Sequence, residues 1–104
     1  MTLVFVQGDT APDITSQLTH ESTGLPLDLT DASVRFQMRR PDDRRYTVNA
    51  TATIVDVAEG RVAYAWGAND LTTIGDYIIQ WEVTYQSGRV QTTAATEELI
   101  IRRQ

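Results

Sequence analysis

The chain has 104 residues, a net charge of −5 and no cysteine. That length predicts one domain over residues 1–104. The missing thiols exclude disulfides and zinc-finger chemistry, and the negative balance argues against a general nucleic-acid binder, which needs a positive field. Apolar residues at 41% and charged residues at 22% match a globular protein, so wholesale disorder is excluded. No apolar run is long enough to span a bilayer. Met1 to Gln7 carries no basic segment and no cleavage pattern, so no signal peptide is expected, with synthesis in the cytoplasm.

The hydrophobic period is two almost throughout, which predicts strands. Leu3 and Phe5 alternate with Val4 and Val6 in a short first strand. Gly8 to Asp13 breaks it, with Pro12 unable to donate to a ladder. Ile14 to Thr19 reads as a second strand. Ser22-Thr23-Gly24 turns the chain, and Leu25, Leu27 and Leu29 alternate after it. Val34, Phe36 and Met38 mark the next strand, closed by the turn Pro41-Asp42-Asp43. Val48, Ala50, Ala52 and Ile54 alternate as one run up to Ala58-Glu59-Gly60. Val62, Tyr64 and Trp66 alternate next, followed by a loop from Gly67 to Thr73 in which Asn69 or Asp70 could cap one helical turn.

The clearest strand opens at Gly75-Asp76. Tyr77, Ile79, Trp81, Val83 and Tyr85 share one face. Gln86-Ser87-Gly88-Arg89 reads as a hairpin turn, Val90 to Ala95 returns, and Leu99 to Arg102 closes the chain. Seven or eight strands with frequent turns predict an all-β, antiparallel two-sheet sandwich of the immunoglobulin-like kind, with a small barrel as the alternative.

The order of these segments carries a resemblance. Gln7-Gly8-Asp9-Thr10 is followed by Gly24-Leu25-Pro26-Leu27-Asp28-Leu29-Thr30, then Val34 to Arg39, Gly60 to Trp66, Gly75-Asp76-Tyr77 and Ser87-Gly88-Arg89. Nearly the whole chain resembles the N-terminal immunoglobulin-like domain of bacteriophage baseplate upper proteins and related small phage virion proteins. The resemblance implies a non-enzymatic structural module that binds other virion proteins, in symmetric multiple copies, in the tail or baseplate. The linker, helices and receptor-facing modules of larger members lie outside these residues. A capsid-decorating or neck protein of the same fold is therefore an alternative, and a carbohydrate-binding module for host attachment is another.

Individual residues are read against simpler roles. Trp66 and Trp81 are in phase with core residues, whereas a sugar platform would place them out of phase. Tyr77, at the head of its strand, fits a corner in which the hydroxyl returns to the backbone. Arg39, Arg40, Asp42, Asp43, Arg44 and Arg45 surround Pro41 in the most unusual segment. They form a candidate protein-binding hairpin, because arginine pairs with carboxylates and is enriched at interface hot spots. The simpler reading is a solvated hairpin whose charges pair with one another. Charge reversal at Arg40 or Arg44 is predicted to weaken assembly and leave folding intact.

The first strand is apolar on both faces, and Leu99-Ile100-Ile101 is similar. Leu3 and Phe5 are therefore candidate partner contacts, unless the two terminal segments cover each other within one molecule. Asp9, Asp13, Asp28, Asp31, Asp42, Asp43, Asp56 and Asp70 lack the alternating spacing of a calcium loop, and Asp28 and Asp31 fit turn-supporting roles. His20 is the only histidine and has no nucleophile motif or metal-ligand partner. No cofactor, metal, catalytic residue or small-molecule substrate is expected, and neither a membrane nor a nucleic acid is an expected partner.

Overall fold

The computed structural model describes residues 2–20, 22–93 and 97–104. They form nine strands and two sheets. The strands are β1 (Thr2–Val6), β2 (Ile14–Gln17), β3 (Ser33–Arg39), β4 (Tyr46–Thr51), β5 (Thr53–Asp56), β6 (Arg61–Tyr64), β7 (Gly75–Thr84), β8 (Val90–Thr92) and β9 (Glu97–Arg102). The larger sheet runs β1-β9-β7-β3-β4, with β8 also paired to β7, and the smaller runs β2-β6-β5. The alternation read from the sequence has its cause here. Apart from β8, whose three residues are all exposed, each strand lays one face on the space between the sheets and turns the other outward.

That space holds one aromatic-rich core. Phe36, from β3, stacks on Tyr64 at 4.7 Å and meets Trp66 and Trp81 edge-on at 5.5 and 5.0 Å. Phe36 and Trp81 belong to the larger sheet, and Tyr64 to the smaller, so this cluster joins the two. Phe5 packs edge-on against Trp66 at 5.1 Å. Burying aromatics of this size stabilises the fold by about 2–3 kcal/mol each. Tyr77 forms the expected corner: its hydroxyl donates to the Thr73 carbonyl at 2.9 Å.

Five details differ from the strand-by-strand reading. The run from Val48 to Ile54 is two strands, not one. Ala52 is buried where the chain crosses from the larger to the smaller sheet, and its amide donates to Val34 at 2.8 Å. Alternation cannot reveal this crossing, because the inner faces of both sheets point at the same core. The second strand stops at Gln17, and Thr19 makes only a single bridge to Pro26. Leu27 and Leu29 are buried outside any strand, while Leu25 lies in water. No helical turn forms at Asn69 or Asp70. Asp70 instead accepts the Gly67 amide at 2.7 Å and the Tyr64 hydroxyl. Finally, β1 and β9 pair in parallel, in an otherwise antiparallel architecture. The positions Ala94 and Ala95, expected to end the eighth strand, lie outside the described residues.

The parallel pair answers the question raised by the two apolar ends. Leu3 stands beside Leu99, Val4 beside Ile100 and Phe5 beside Ile101. The terminal segments therefore lie side by side within the larger sheet, with Phe5, Leu99 and Ile101 buried and the outer side chains of Val4 and Val6 still exposed.

Candidate assembly surface

The connection from β3 to β4 holds the arginine-rich segment, and its side chains divide into two groups. Arg39 folds back beneath the turn. Its Nη1 donates to the carbonyls of Arg40, Pro41 and Asp43 at 3.3, 3.5 and 3.1 Å. One guanidinium thus satisfies the Pro41 and Asp43 carbonyls and adds a second bond to the Arg40 carbonyl, which already accepts the Asp43 amide at 3.1 Å. Arg40 turns toward the β7 end of the sheet. Its Cζ lies 5.2 Å from the centre of the Tyr77 ring, and its Nη2 donates to the Ile74 carbonyl at 3.4 Å. A Cβ on Gly75 would lie 2.9 Å from Arg40 Nη1, so the glycine leaves the space that this guanidinium fills.

The other members face water. Asp42, Arg44 and Arg45 are exposed. Asp43 accepts the Arg45 amide at 2.9 Å, and its carboxylate lies 3.5 Å from Arg45 Nε. The Arg45 amide holds the Asp43 carboxyl below the usual carboxylate range, with a smaller contribution from the Arg45 guanidinium. The Arg45 side chain is 90% exposed, so this ion pair adds little to stability. Asp42, Asp43, Arg44 and Tyr46 line a shallow open depression on this turn. Of the charges in this segment, only Asp43 and Arg45 form an ion pair with each other among the described residues. Arg39 and Arg40 pack against the turn and the end of β7, and Asp42, Arg44 and Arg45 stay exposed.

Leu3 and Phe5 face inward. Phe5 is 8% exposed and belongs to the core, and Leu3 packs against it. The outward apolar side chains of β1 are Val4, at 51% exposure, and Val6, at 39%. Strand direction alone does not say which face is inner when both are apolar. The contact between Phe5 and Trp66 decides it.

The outer face of the larger sheet carries a polar network with no sequence motif. Gln80 Nε2 donates to Gln37 Oε1 at 2.7 Å and to the Tyr46 hydroxyl at 3.0 Å, and Gln37 Nε2 reaches Glu82 at 3.4 Å. Gln37 is only 4% exposed although it points away from the core, because neighbouring strands flank it on both sides. The one signal in the sequence was Gln37 and Gln80 standing out of phase with the apolar positions of their strands.

The remaining polar candidates have local roles. Asp28 accepts from the Thr30 hydroxyl at 2.6 Å and the Thr30 amide at 3.0 Å, and these bonds lower its carboxyl below the usual range. His20 is exposed in a turn and borders an open groove with Asp28, Tyr85 and Arg89. Trp66 and Trp81 are both buried, as their phase required.

A comparison with curated proteins finds no match. The family model described as the BppU N-terminal domain matches residues 5–97, from the core aromatic of β1 to the first residue of β9. The chain therefore belongs to the family of the N-terminal domain of BppU, the baseplate upper protein, a structural component of phage baseplates.

Proposed function

We propose that residues 1–104 act as one non-enzymatic, immunoglobulin-like module that joins virion proteins in the tail or baseplate, in symmetric multiple copies. The observation that carries this reading is the family match across residues 5–97 of a two-sheet sandwich. Other virion proteins are its partners, and the virion is its location.

The contact surface proposed is the outer part of the β3–β4 turn: Asp42, Arg44 and Arg45. Two features support it. Arg39 fixes the turn from beneath, so little ordering cost remains for a partner to meet. The exposed arginines are also a local positive point on a chain of net charge −5, suited to carboxylates on a neighbouring subunit. Leu3 and Phe5 support such contacts indirectly, by holding β1 against the core.

The test is incorporation into particles of the doubly reversed variant Arg44→Glu, Arg45→Glu. The expected result is a loss of incorporation of tenfold or more, with an unchanged melting temperature. Normal incorporation of the folded variant would overturn the assignment of this turn.

A further inference from the structure

The outer strand at each side of a sheet leaves a row of backbone groups free to accept another strand, unless something blocks them. The larger sheet's path ends in β1 and β4, and the three-residue β8 beside β7 is a further, short outer strand. On β1, the Gln7 amide donates to the Arg102 carbonyl at 2.7 Å and sets the phase of the parallel pairing. Leu3 and Phe5 therefore direct their backbone groups at β9, and Val4 and Val6 direct theirs at the free edge. Both edge groups of Val6 are already taken. Its amide donates to Asp9 Oδ2 at 3.1 Å, and its carbonyl accepts the Asp9 amide at 3.0 Å.

On β4, the bond from the Ala52 amide to Val34 sets the phase. Phe36 with Ala50 and Met38 with Val48 are then the bonded pairs, which turns the backbone of Thr47, Asn49 and Thr51 to the free edge. The middle carbonyl of that row, on Asn49, accepts Arg35 Nη2 at 2.7 Å. Arg35 Nε donates to the Asn49 side-chain oxygen at 2.9 Å, so the planar fork holds both groups at once.

We propose that Asp9 and Arg35 are edge guards, which close the β1 and β4 edges of the larger sheet to strand addition by a second copy of this chain. A strand laid along β1 meets Val6 with no free donor or acceptor, and one laid along β4 meets Asn49 with its carbonyl occupied. The guard on β1 matters because this edge strand also exposes Val4 and Val6, and a flat apolar edge is a template for association. With these two edges closed, strand addition is left to the short β8 and to β2 and β5 at the sides of the smaller sheet. The inference concerns the chain itself, and its readout is separate from particle incorporation.

Light scattering over a range of concentrations tests it on the double variant Asp9→Ala, Arg35→Ala beside the wild type. The expected result is a folded variant whose mass is at least twofold that of the wild type and rises with concentration. A folded variant with the wild-type mass at every concentration would overturn the proposal. Adding Val4→Pro to Asp9→Ala removes a donor that points at the free edge and leaves the ladder to β9 intact. It is expected to return the mass to the wild-type value, and persistent association would overturn the guard on β1. If the double variant does not fold, Asp9→Ala and Arg35→Ala are read singly. Either one, folded and unchanged in mass, overturns its own guard.

Discussion

Gly60 tests whether the turn between β5 and β6 is held as tightly as its contacts indicate. Its φ is +65°, and a Cβ built on it would lie 2.6 Å from the Leu18 carbonyl oxygen and 2.9 Å from that of Leu27. Both obstacles are backbone, and neither is free to retreat. The Leu18 amide donates to the Gly60 carbonyl at 2.8 Å, while the Leu18 carbonyl accepts the Leu27 amide at 2.9 Å. Gly60→Ala therefore imposes a left-handed alanine, about 1–2 kcal/mol, and a displacement that breaks at least one of these bonds, about 1 kcal/mol. Crowding of the packed segment adds about 1 kcal/mol or more.

The expected sum is about 3–5 kcal/mol, a large share of the roughly 5–15 kcal/mol that holds a domain together. Gly24→Ala is the control. Its φ is +71° but nothing lies within 4 Å, so only the backbone cost of about 1–2 kcal/mol applies. Urea unfolding of both variants, with unchanged slope, measures the difference. If Gly60→Ala costs no more than Gly24→Ala, the close approach of the three backbone segments is not what holds this turn.

Two further predictions concern single side chains. Arg40→Ala loses the cation over Tyr77 and is expected to destabilise by about 1–2 kcal/mol, whereas Arg44→Ala stays within about 0.5 kcal/mol in the same denaturation assay. Burial, and then the bond to Asp70, push the Tyr64 phenol from 10.0 up to about 12. Tyr64 thus favours the folded state fully below pH 10, and its contribution is lost as pH rises toward 12. Alkaline unfolding followed by phenolate absorbance should fall in that window, and Asp70→Asn should move it to lower pH.

The arginine segment shows where sequence reading stops. Its composition marked it as unusual and its proline placed a turn, yet Arg39, Arg40, Arg44 and Arg45 look alike in sequence. Arg39 finds loop carbonyls and Arg40 finds an aromatic face, while Arg44 and Arg45 find water. Reversing Arg40 is therefore a test of stability, unlike the reversal of Arg44. Asp9 and Arg35 were missed for a related reason. Each blocks a backbone group whose exposure depends on which strand ends a sheet.

Alternation along the chain was enough to determine the all-β class, the inward side chains of β3, β6 and β7, and the turns at Pro41 and Gly88. Those features depend on the period of a strand and on local backbone preference, both of which are written residue by residue. The three-dimensional structure decided that β1 lies parallel to β9, that the chain changes sheets at Ala52, and which charges of the β3–β4 turn remain outside. The first two depend on distances between segments far apart in sequence, and the third on where each side chain turns within and beyond the loop, so alternation does not encode them.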